Sequence, residues 1–225
     1  MTEERFARIE QVLAQRQLSM AVITDGTHKN HNIAAIARSC DAFGVHQLHL
    51  VGEQEIRYHR RISGGTLGWL DVHKHPNTES ALQQARNKGH RLVAAHLSAE
   101  AIPYTQFDFC QPFSLIMGSE LQGVSSYSQQ QADAHLVIPM QGMVESLNVS
   151  VACALILAEA QRQRQSRDPL RYRNEIQGEL KHYWLVRWLY PKIAHHCDQH
   201  QLPYPPLNEH GELHEPAKWY QQQRG

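Results

Sequence analysis

The sequence has no stretch close to the roughly 20 consecutive apolar residues that a membrane-spanning helix requires. Its first residues, MTEERFARIEQVLAQRQ, are polar and charged, unlike a secretory signal peptide. We therefore expect a cytoplasmic protein. The four cysteines are far apart, with no CxxC pair and a single CxxH at Cys197–His200, which argues against a disulfide framework and against a zinc site. We expect free thiols and no metal.

An excess of positive charge is also lacking, because 22 Lys and Arg residues balance 22 Asp and Glu residues. Any contact with a nucleic acid must therefore come from local patches. The 16 His residues are scattered along the sequence, and we expect them mainly at the surface. Neither GxGxxG nor GxxxxGK[ST] occurs, which argues against a nicotinamide-linked or phosphate-binding α/β enzyme.

What is present is a pattern of short β-branched runs alternating with helical patterns. The composition, 41% hydrophobic and 20% charged, is typical of a folded globular chain. Strands are predicted over residues 20–25, 46–52, 70–75, 91–97, 113–118 and 134–140. Helices are predicted between and after them, over 32–43, 78–88, 125–132 and 148–165. This alternation predicts one α/β domain with a mostly parallel sheet.

Helical additions are predicted at both ends of that domain. Residues 3–16 form an amphipathic pattern, and a second apolar helix pattern around 180–189 should end or kink at Pro191. The tail from 202 onward is rich in Pro and aromatic residues, so we expect an extended segment docked on the core with a short final helix. Residues 56–69 have no clear assignment.

Two polar residues mark the first candidate motif. Asn32 is expected at the N-cap of an apolar helix, and Arg38 follows six residues later. That spacing separates their side chains by about 120° around the helix axis, so they need not share a face. Taken alone, the pair is consistent with a capping Asn and a solvated Arg.

Glycines mark the second motif, LIMGSELQGV. Gly118, Glu120 and Gly123 follow a predicted strand, and in open α/β sheets ligands bind beyond the carboxyl ends of the strands. Glycine there allows a backbone to approach a ligand closely. A simple glycine turn with a solvated Glu120 explains the same residues.

A helix entry marks the third motif, IPMQGMVESLNVS. Pro139 and Gly142 predict an irregular loop, and Ser146 and Asn148 stand where an Ala-rich helix begins. Free amides at such an entry suit a carboxylate or phosphate. A plain helix cap is the alternative.

A basic run follows in residues 161–173, with five Arg against one Asp. Guanidinium groups bind phosphate through two donors, and Tyr172 could stack on a base. Arg57, Arg60 and Arg61 could assist. A solvated helix face is the alternative.

Taken together and in this order, the three motifs resemble those of the SpoU branch of the SPOUT methyltransferases. The resemblance implies a sheet whose C-terminal part forms a trefoil knot, S-adenosylmethionine as the methyl donor, and a ribose 2′-hydroxyl of RNA as the acceptor. It also implies a homodimer through the knot region, with 149–160 as the interface. Because only about 20 residues precede the first predicted strand, a D-loop guanosine of transfer RNA is favoured as the substrate over ribosomal RNA.

The resemblance assigns roles to individual residues. The expected catalytic set is Asn32, Arg38, Glu120, Ser146 and Asn148. Backbone and side chains around Ala95, Leu97, Gly118, Ile138, Met140 and Leu147 would hold the cofactor. RNA contact is expected from Arg5, Arg8, Arg16, His31, Arg162, Arg164, Arg167, Arg171 and Arg173. Since guanidinium is almost never deprotonated in proteins, Arg38 is expected to position the ribose and stabilise its oxyanion.

The expected organisation is an N-terminal RNA-binding helix (1–19), a methyltransferase core (20–165) and a C-terminal extension (166–225) that contacts RNA and the core. Two alternatives are kept. One is a ribosomal RNA methyltransferase of the same branch, and the other is a non-catalytic RNA-binding protein.

Overall fold

The computed structural model describes residues 2–27, 29–52, 65–214 and 219. It divides the chain into two compact units. The first, Gln17–Tyr172, holds the sheet, and the second combines Met1–Arg16 with Arg173–Gly225.

The sheet unit contains seven strands in the order β3-β2-β1-β6-β4-β7-β5, and every neighbouring pair is parallel. The strands are β1 (Gln17–Thr24), β2 (Val45–Val51), β3 (Asp71–His75), β4 (Arg91–Ala95), β5 (Ile102–Pro103), β6 (Phe113–Met117) and β7 (Ala134–Val137). The predicted parallel α/β fold and all six predicted strands are confirmed. The additional strand β5 spans only two residues, too few to leave a pattern in the sequence.

The helices of the sheet unit confirm the four predicted between and after the strands. They are α2 (Asn30–Ala42), α3 (Thr78–Asn87), α4 (Ser126–Gln131) and α5 (Val149–Arg167). Local chemistry sets several of their ends: the side chains of Asn77, Ser125 and Asn148 accept hydrogen bonds from the first turns of α3, α4 and α5. Gly89, at a φ of 75°, follows α3 where a left-handed residue is needed.

Alternate residues of the central strands enter different hydrophobic clusters. In β1, Val22 belongs to a cluster that includes residues of α2 and α5, whereas its neighbour Ile23 packs with residues of α3. In β6, Leu115 and Ile116 divide in the same way. Because successive side chains of a strand point to opposite faces, both faces of the sheet are buried.

The prediction of mainly surface histidines is wrong for four of them, since His46, His49, His75 and His90 are buried. Nδ1 of His49 lies 2.9 Å from Nε2 of His75, and burial lowers the pKa of His49 to about 3. The sequence scatters these residues, but β2 and β3 are neighbours with His49 opposite His73. Strand pairing therefore brings His49 and His75 together in the interior, where burial lowers the pKa of both.

The terminal unit is built from α1 (Glu3–Ala14), α6 (Gly178–Leu189) and α7 (Pro191–His200). The helices α1 and α6 confirm the two predicted helices. Helix α6 ends at Leu189, and after Tyr190 a new helix starts at Pro191, as the proline predicted. Residues 201–214 contain no helix or strand apart from a bridge between Leu207 and Leu213. Tyr190 donates a hydrogen bond to the carbonyl of Gly211, which fastens this segment within the unit.

Some predictions fall outside the described residues. These are the contribution of Arg57, Arg60 and Arg61, and most of the proposed final helix. Within the unassigned range 56–69, the described part forms one short 3-10 helix, Thr66–Trp69.

The cysteines are free, buried thiols, as predicted. Across the described ranges, no helix is long and apolar enough to cross a membrane. In the same residues, no group of three or more His, Cys, Asp or Glu is arranged to hold a metal ion.

Candidate functional site

A cavity of about 570 Å³ opens at the carboxyl ends of β4, β6 and β7. Four segments form most of its wall: the end of β4 and the residues after it (Ala95–Leu97), the end of β6 and the residues after it (Met117–Glu120), β7 and the residues after it (Leu136–Ile138 and Met140), and the residues before α5 (Glu145–Asn148). Three adjacent parallel strands end together here, which is where α/β sheets bind ligands.

The predicted cofactor residues all lie on the wall of this cavity. They are Ala95, Leu97, Gly118, Ile138, Met140 and Leu147, and three of the predicted catalytic residues, Glu120, Ser146 and Asn148, join them. Segments that are far apart in sequence thus meet in one place. That these residues bind a cofactor stays a prediction.

A chain of side-chain hydrogen bonds joins the three motifs. Asn32 is 2% exposed, and its Nδ2 donates to Oε1 of Glu120. Its Oδ1 accepts from Nδ2 of Asn148 at 3.2 Å. The amide of Asn32 therefore uses both of its ends, one on the loop after β6 and the other at the start of α5.

The prediction of Asn32 as an N-cap is wrong. Lys29 occupies the cap position of α2, and Asn32 is the third residue of the helix. The spacing argument for Arg38 holds, because Arg38 is exposed whereas Asn32 is buried. Arg38 is absent from the described wall of the cavity, on which Glu120, Ser146 and Asn148 lie.

The side chain of Asn148 caps the first turn of α5. Oδ1 of Asn148 accepts from the backbone amide of Ser150 at 2.9 Å and from its hydroxyl at 2.6 Å. The prediction of a free amide donor is therefore wrong at Ser150, whose amide is already satisfied. Asn148 instead acts as a fixed link between α5 and Asn32. Ser146 is exposed on the loop before it.

Gly118 is required by the packing of the loop after β6. A Cβ at this position would lie 2.1 Å from the carbonyl carbon of Gly123. Ser119 and Gly123 exchange two backbone hydrogen bonds of 2.9 and 3.0 Å, which close residues 119–123 into a tight turn. The glycines of the second motif thus shape the loop that carries Glu120.

Sequence reasoning missed Lys29, His96 and Glu145, which also line the cavity. Burial, with a smaller effect of His135, lowers the pKa of His96, so its imidazole is neutral near pH 7. His96 directly follows a strand, and this position could have marked it as a residue of the site. Lys29 and Glu145 stand beside motif residues, and only the fold shows that they face the same space.

Two arginines of the predicted RNA-binding set do not fit that role. Arg164 is 1% exposed, and its guanidinium donates to the carbonyls of Phe109, Ser19 and Gln111 and to the side chains of Gln17 and Ser19. Arg16 is also buried, with its guanidinium 5.6 Å from the centre of the Trp188 ring. Both act inside their own units rather than on a surface.

Tyr172 is likewise wrong as a base-stacking residue. It is 6% exposed, and its hydroxyl donates to the carbonyl of Cys110 at 2.9 Å. The other predicted RNA contacts are exposed: Arg5, Arg8, His31, Arg162, Arg167, Arg171 and Arg173. Of these, Arg162 pairs with Glu159 at 2.7 Å and Arg167 with Asp108 at 3.2 Å.

Residues 19–158 match the SpoU rRNA Methylase family, and 162–216 match the family described as SpoU, rRNA methylase, C-terminal. The fold and site thus define an RNA methylase of the SpoU class, and the chain belongs to the SpoU methylase family.

Particular members of the family are similar over most of the chain. The tRNA (guanosine(18)-2′-O)-methyltransferase of Escherichia coli K12 is 37% identical over 98% of this chain and 97% of its own length. The protein of the same name from Thermus thermophilus is 39% identical over 84% of this chain and 97% of its own.

Solved structures support the same assignment. The structure of the A. aeolicus TrmH/SpoU tRNA modifying enzyme matches with a TM-score of 0.76 and 36% sequence identity. The match covers 85% of this chain and 98% of the chain of that enzyme. The SpoU methyltransferase AviRb from Streptomyces viridochromogenes, solved in complex with its cofactor AdoMet, has a TM-score of 0.61 and 33% identity, and it covers 67% of this chain and 62% of its own.

Gly118→Ala should destabilise the sheet unit and distort the cavity. The added Cβ meets backbone atoms of Gly123, which cannot move without opening the turn, so we expect a loss of about 1–3 kcal/mol in the free energy of unfolding. Urea denaturation measures this loss.

Gly142→Ala is the matched control, because a Cβ there has open space around it and the residue lies in the loop leading to Ser146. Equal stabilities of the two variants would show that the turn tolerates a side chain at position 118.

Proposed function

We propose that this chain is a tRNA (guanosine(18)-2′-O)-methyltransferase, which transfers a methyl group from S-adenosylmethionine to the ribose 2′-hydroxyl of a D-loop guanosine. The observation that carries the proposal is the cavity whose wall brings together Glu120, Ser146 and Asn148, with Asn32 fixed behind it. Support comes from the relatives that bear this name at 37–39% identity.

The cavity fits the proposed cofactor in size and chemistry. Its volume of about 570 Å³ lies in the range of small-molecule sites. Apolar walls from Leu136, Ile138 and Ile156 suit an adenine ring, and the carboxylates of Glu120 and Glu145 suit a cation. The cofactor would supply an activated methyl group. Cofactor contact is assigned to Ala95, Leu97, Gly118, Ile138, Met140 and Leu147.

The roles of the protein's own side chains follow from how they are fixed. Asn32 and Asn148 hold Glu120 in one orientation, because the donor Asn32 is itself held by a second amide. Ser146, exposed at the cavity wall, is assigned to orient the ribose. A fixed polar constellation of this kind lowers the cost of aligning a hydroxyl for in-line attack. Arg38 is assigned to stabilise the developing oxyanion as a cation.

A homodimer would complete the site. α5 exposes Val151 and Leu155, which are 47% and 38% exposed and lie one turn apart on the same face. This apolar stripe falls within the proposed interface 149–160. Because α5 also packs against α2, which carries the exposed Arg38, a second copy seated on this face could supply the arginine that the single chain leaves outside the cavity.

A trefoil knot in the C-terminal part of the sheet unit is proposed from family membership. The contacts of Arg164 support close engagement of the end of α5 with the loop 107–111 and with β1, as five hydrogen bonds to these segments anchor it. The knot is proposed to shape the same loops that line the cavity.

RNA contact is proposed for the exposed members of the predicted set, which are Arg5, Arg8, His31, Arg162, Arg167, Arg171 and Arg173. Residues 1–19 and 166–225 are proposed as RNA-binding additions to a methyltransferase core of 20–165. Transfer RNA is favoured over ribosomal RNA because the relatives named for transfer RNA match over nearly their whole length. A cytoplasmic location follows from such a substrate.

Incubation of the purified protein with labelled S-adenosylmethionine and unmodified transfer RNA tests the function directly. We expect label in one 2′-O-methylguanosine of the D-loop, located by nuclease mapping. Label confined to ribosomal RNA would favour the other substrate class. Binding of RNA without any transfer would favour a non-catalytic RNA-binding protein.

Arg38→Ala should abolish methyl transfer while the affinity for S-adenosylmethionine stays within a few-fold, since Arg38 does not line the cavity of its own chain. A heterodimer of one Arg38→Ala subunit and one Glu120→Gln subunit, purified through two different tags, separates the sources of the arginine. If the second copy supplies it, one of two sites is intact and about half of the activity returns.

Two inactive homodimers and an inactive heterodimer would place Arg38 in the site of its own chain. Full activity of the Arg38→Ala homodimer would remove it from the catalytic set.

Arg162→Ala combined with Arg167→Ala should weaken transfer RNA binding and flatten its dependence on salt concentration. Each phosphate contact that is lost reduces the slope of log K against log salt by about 1. The measurement is fluorescence anisotropy over a range of about 50–300 mM salt. Arg164 is left unchanged here, because its replacement would disturb the interior.

Lys192→Ala is the control for charge, since it removes one exposed cation from outside the proposed RNA-binding set. A salt slope that is identical for the double variant and the unchanged protein would move the RNA surface elsewhere.

A further inference from the structure

The segment between β1 and α2 holds the loop after β6 at both of its ends. The backbone amide of Asp25 donates to the carbonyl of Met117 at 2.7 Å, and the hydroxyl of Thr27 donates to the carbonyl of Gly118 at 3.0 Å. At the far end, the amide of Ser125 donates to Oδ2 of Asp25 at 2.8 Å. Asp25 and Thr27 are 4% and 3% exposed.

The carboxylate of Asp25 is itself fixed from a third direction. Thr78, the first residue of α3, donates its hydroxyl to Oδ1 of Asp25 at 2.7 Å. Both carboxylate oxygens are thus engaged, Oδ2 by the backbone amide of Ser125 and Oδ1 by the hydroxyl of Thr78. One buried side chain therefore joins β1, the loop after β6 and the start of α3.

The loop that is held in this way is a single rigid turn. The two backbone hydrogen bonds between Ser119 and Gly123, together with the bond from the amide of Gln122 to the hydroxyl of Ser119, restrain it internally. Gly118, Ser119, Glu120 and Gly123 of this turn line the cavity. A rigid turn fixed at its ends has little freedom to change the position of Glu120.

We propose that Asp25 is a positioning residue of the site. It sets where the turn 118–123 stands, and through it where Glu120 meets Asn32 and where the Gly118 backbone meets the cofactor. The proposal rests on the proposed function only in taking S-adenosylmethionine as the ligand of the cavity. Its mechanical part, the holding of the turn, does not depend on any ligand.

Two pairs of variants at the two ends of the Asp25–Thr78 contact test this role. Asp25→Ala removes the acceptor for Ser125 and for Thr78. Asp25→Asn can keep both contacts, since its oxygen can accept from Ser125 and its NH₂ can donate to the Thr78 hydroxyl. Thr78→Val removes one contact at nearly constant volume, and Thr78→Ser keeps it.

The readouts are S-adenosylmethionine affinity by calorimetry and amide hydrogen exchange of 118–125 in the free protein. We expect Asp25→Ala to lose at least about tenfold in affinity and to exchange faster in 118–125 than in β1 and β6. Thr78→Val should show a smaller change of the same kind. Asp25→Asn and Thr78→Ser should both stay within about threefold of the unchanged protein.

Unaltered affinity and exchange in Asp25→Ala would overturn the proposal. So would equal damage in Asp25→Asn and Asp25→Ala, because the charge rather than the hydrogen-bond geometry would then matter. If Asp25→Ala does not fold, Thr78→Val decides: unaltered exchange of 118–125 in that variant also overturns it. Failure of the unchanged protein to bind S-adenosylmethionine would instead count against the proposed function, while the exchange comparison still tests the holding of the turn.

Discussion

The buried amide of Asn32 is the point at which the site is held together. Its NH₂ group donates to Glu120 and its oxygen accepts from Asn148, so a single planar group fixes residues that lie 88 and 116 positions away. A buried amide left without partners costs free energy, so the folded state is more stable when these segments meet at Asn32. An aspartate at position 32 could not make both contacts, because a carboxylate cannot donate to Glu120. The chemistry of the amide therefore fixes the geometry of the cavity wall.

Hydrophobic patterning was enough to predict the architecture. The β-branched runs and the helical runs between them alternate clearly, and glycine or polar residues mark most of their ends, so local propensity and tertiary packing agree. β5 could not be found in this way, because it consists of Ile102 and Pro103 and exists only through pairing with β7. The buried contact between His49 and His75 was not predictable for a related reason, since it arises from neighbouring strands and not from neighbouring residues.

The candidate site was predictable where its residues stand directly after strands or before a helix. Gly118, Glu120 and Asn148 occupy such positions, and resemblance to a family placed them in order. The contacts of Asp25 and Thr27 were not predictable, because their hydrogen-bond partners lie far away in the sequence and only the fold brings them close. The prediction for Arg164 failed for a different physical reason: Arg164 lies about 200° around the helix axis from Arg162, so it points inward where Arg162 is exposed, and Arg167 is exposed as the last residue of the helix. A basic run in sequence is thus not a basic surface.

The strand order has a consequence for how this chain is made. β1 pairs on one side with β2, which follows within about 20 residues, but on the other side with β6, whose partner residues for Met20 to Thr24 are Phe113 to Met117. At about 5–20 residues per second of synthesis, the free edge of β1 waits roughly 5–20 s for its partner. An unpaired edge of buried, apolar strand is a template for wrong pairing. Protection of the nascent chain during that interval, and not only the stability of the finished sheet, therefore bears on how much folded protein a cell obtains.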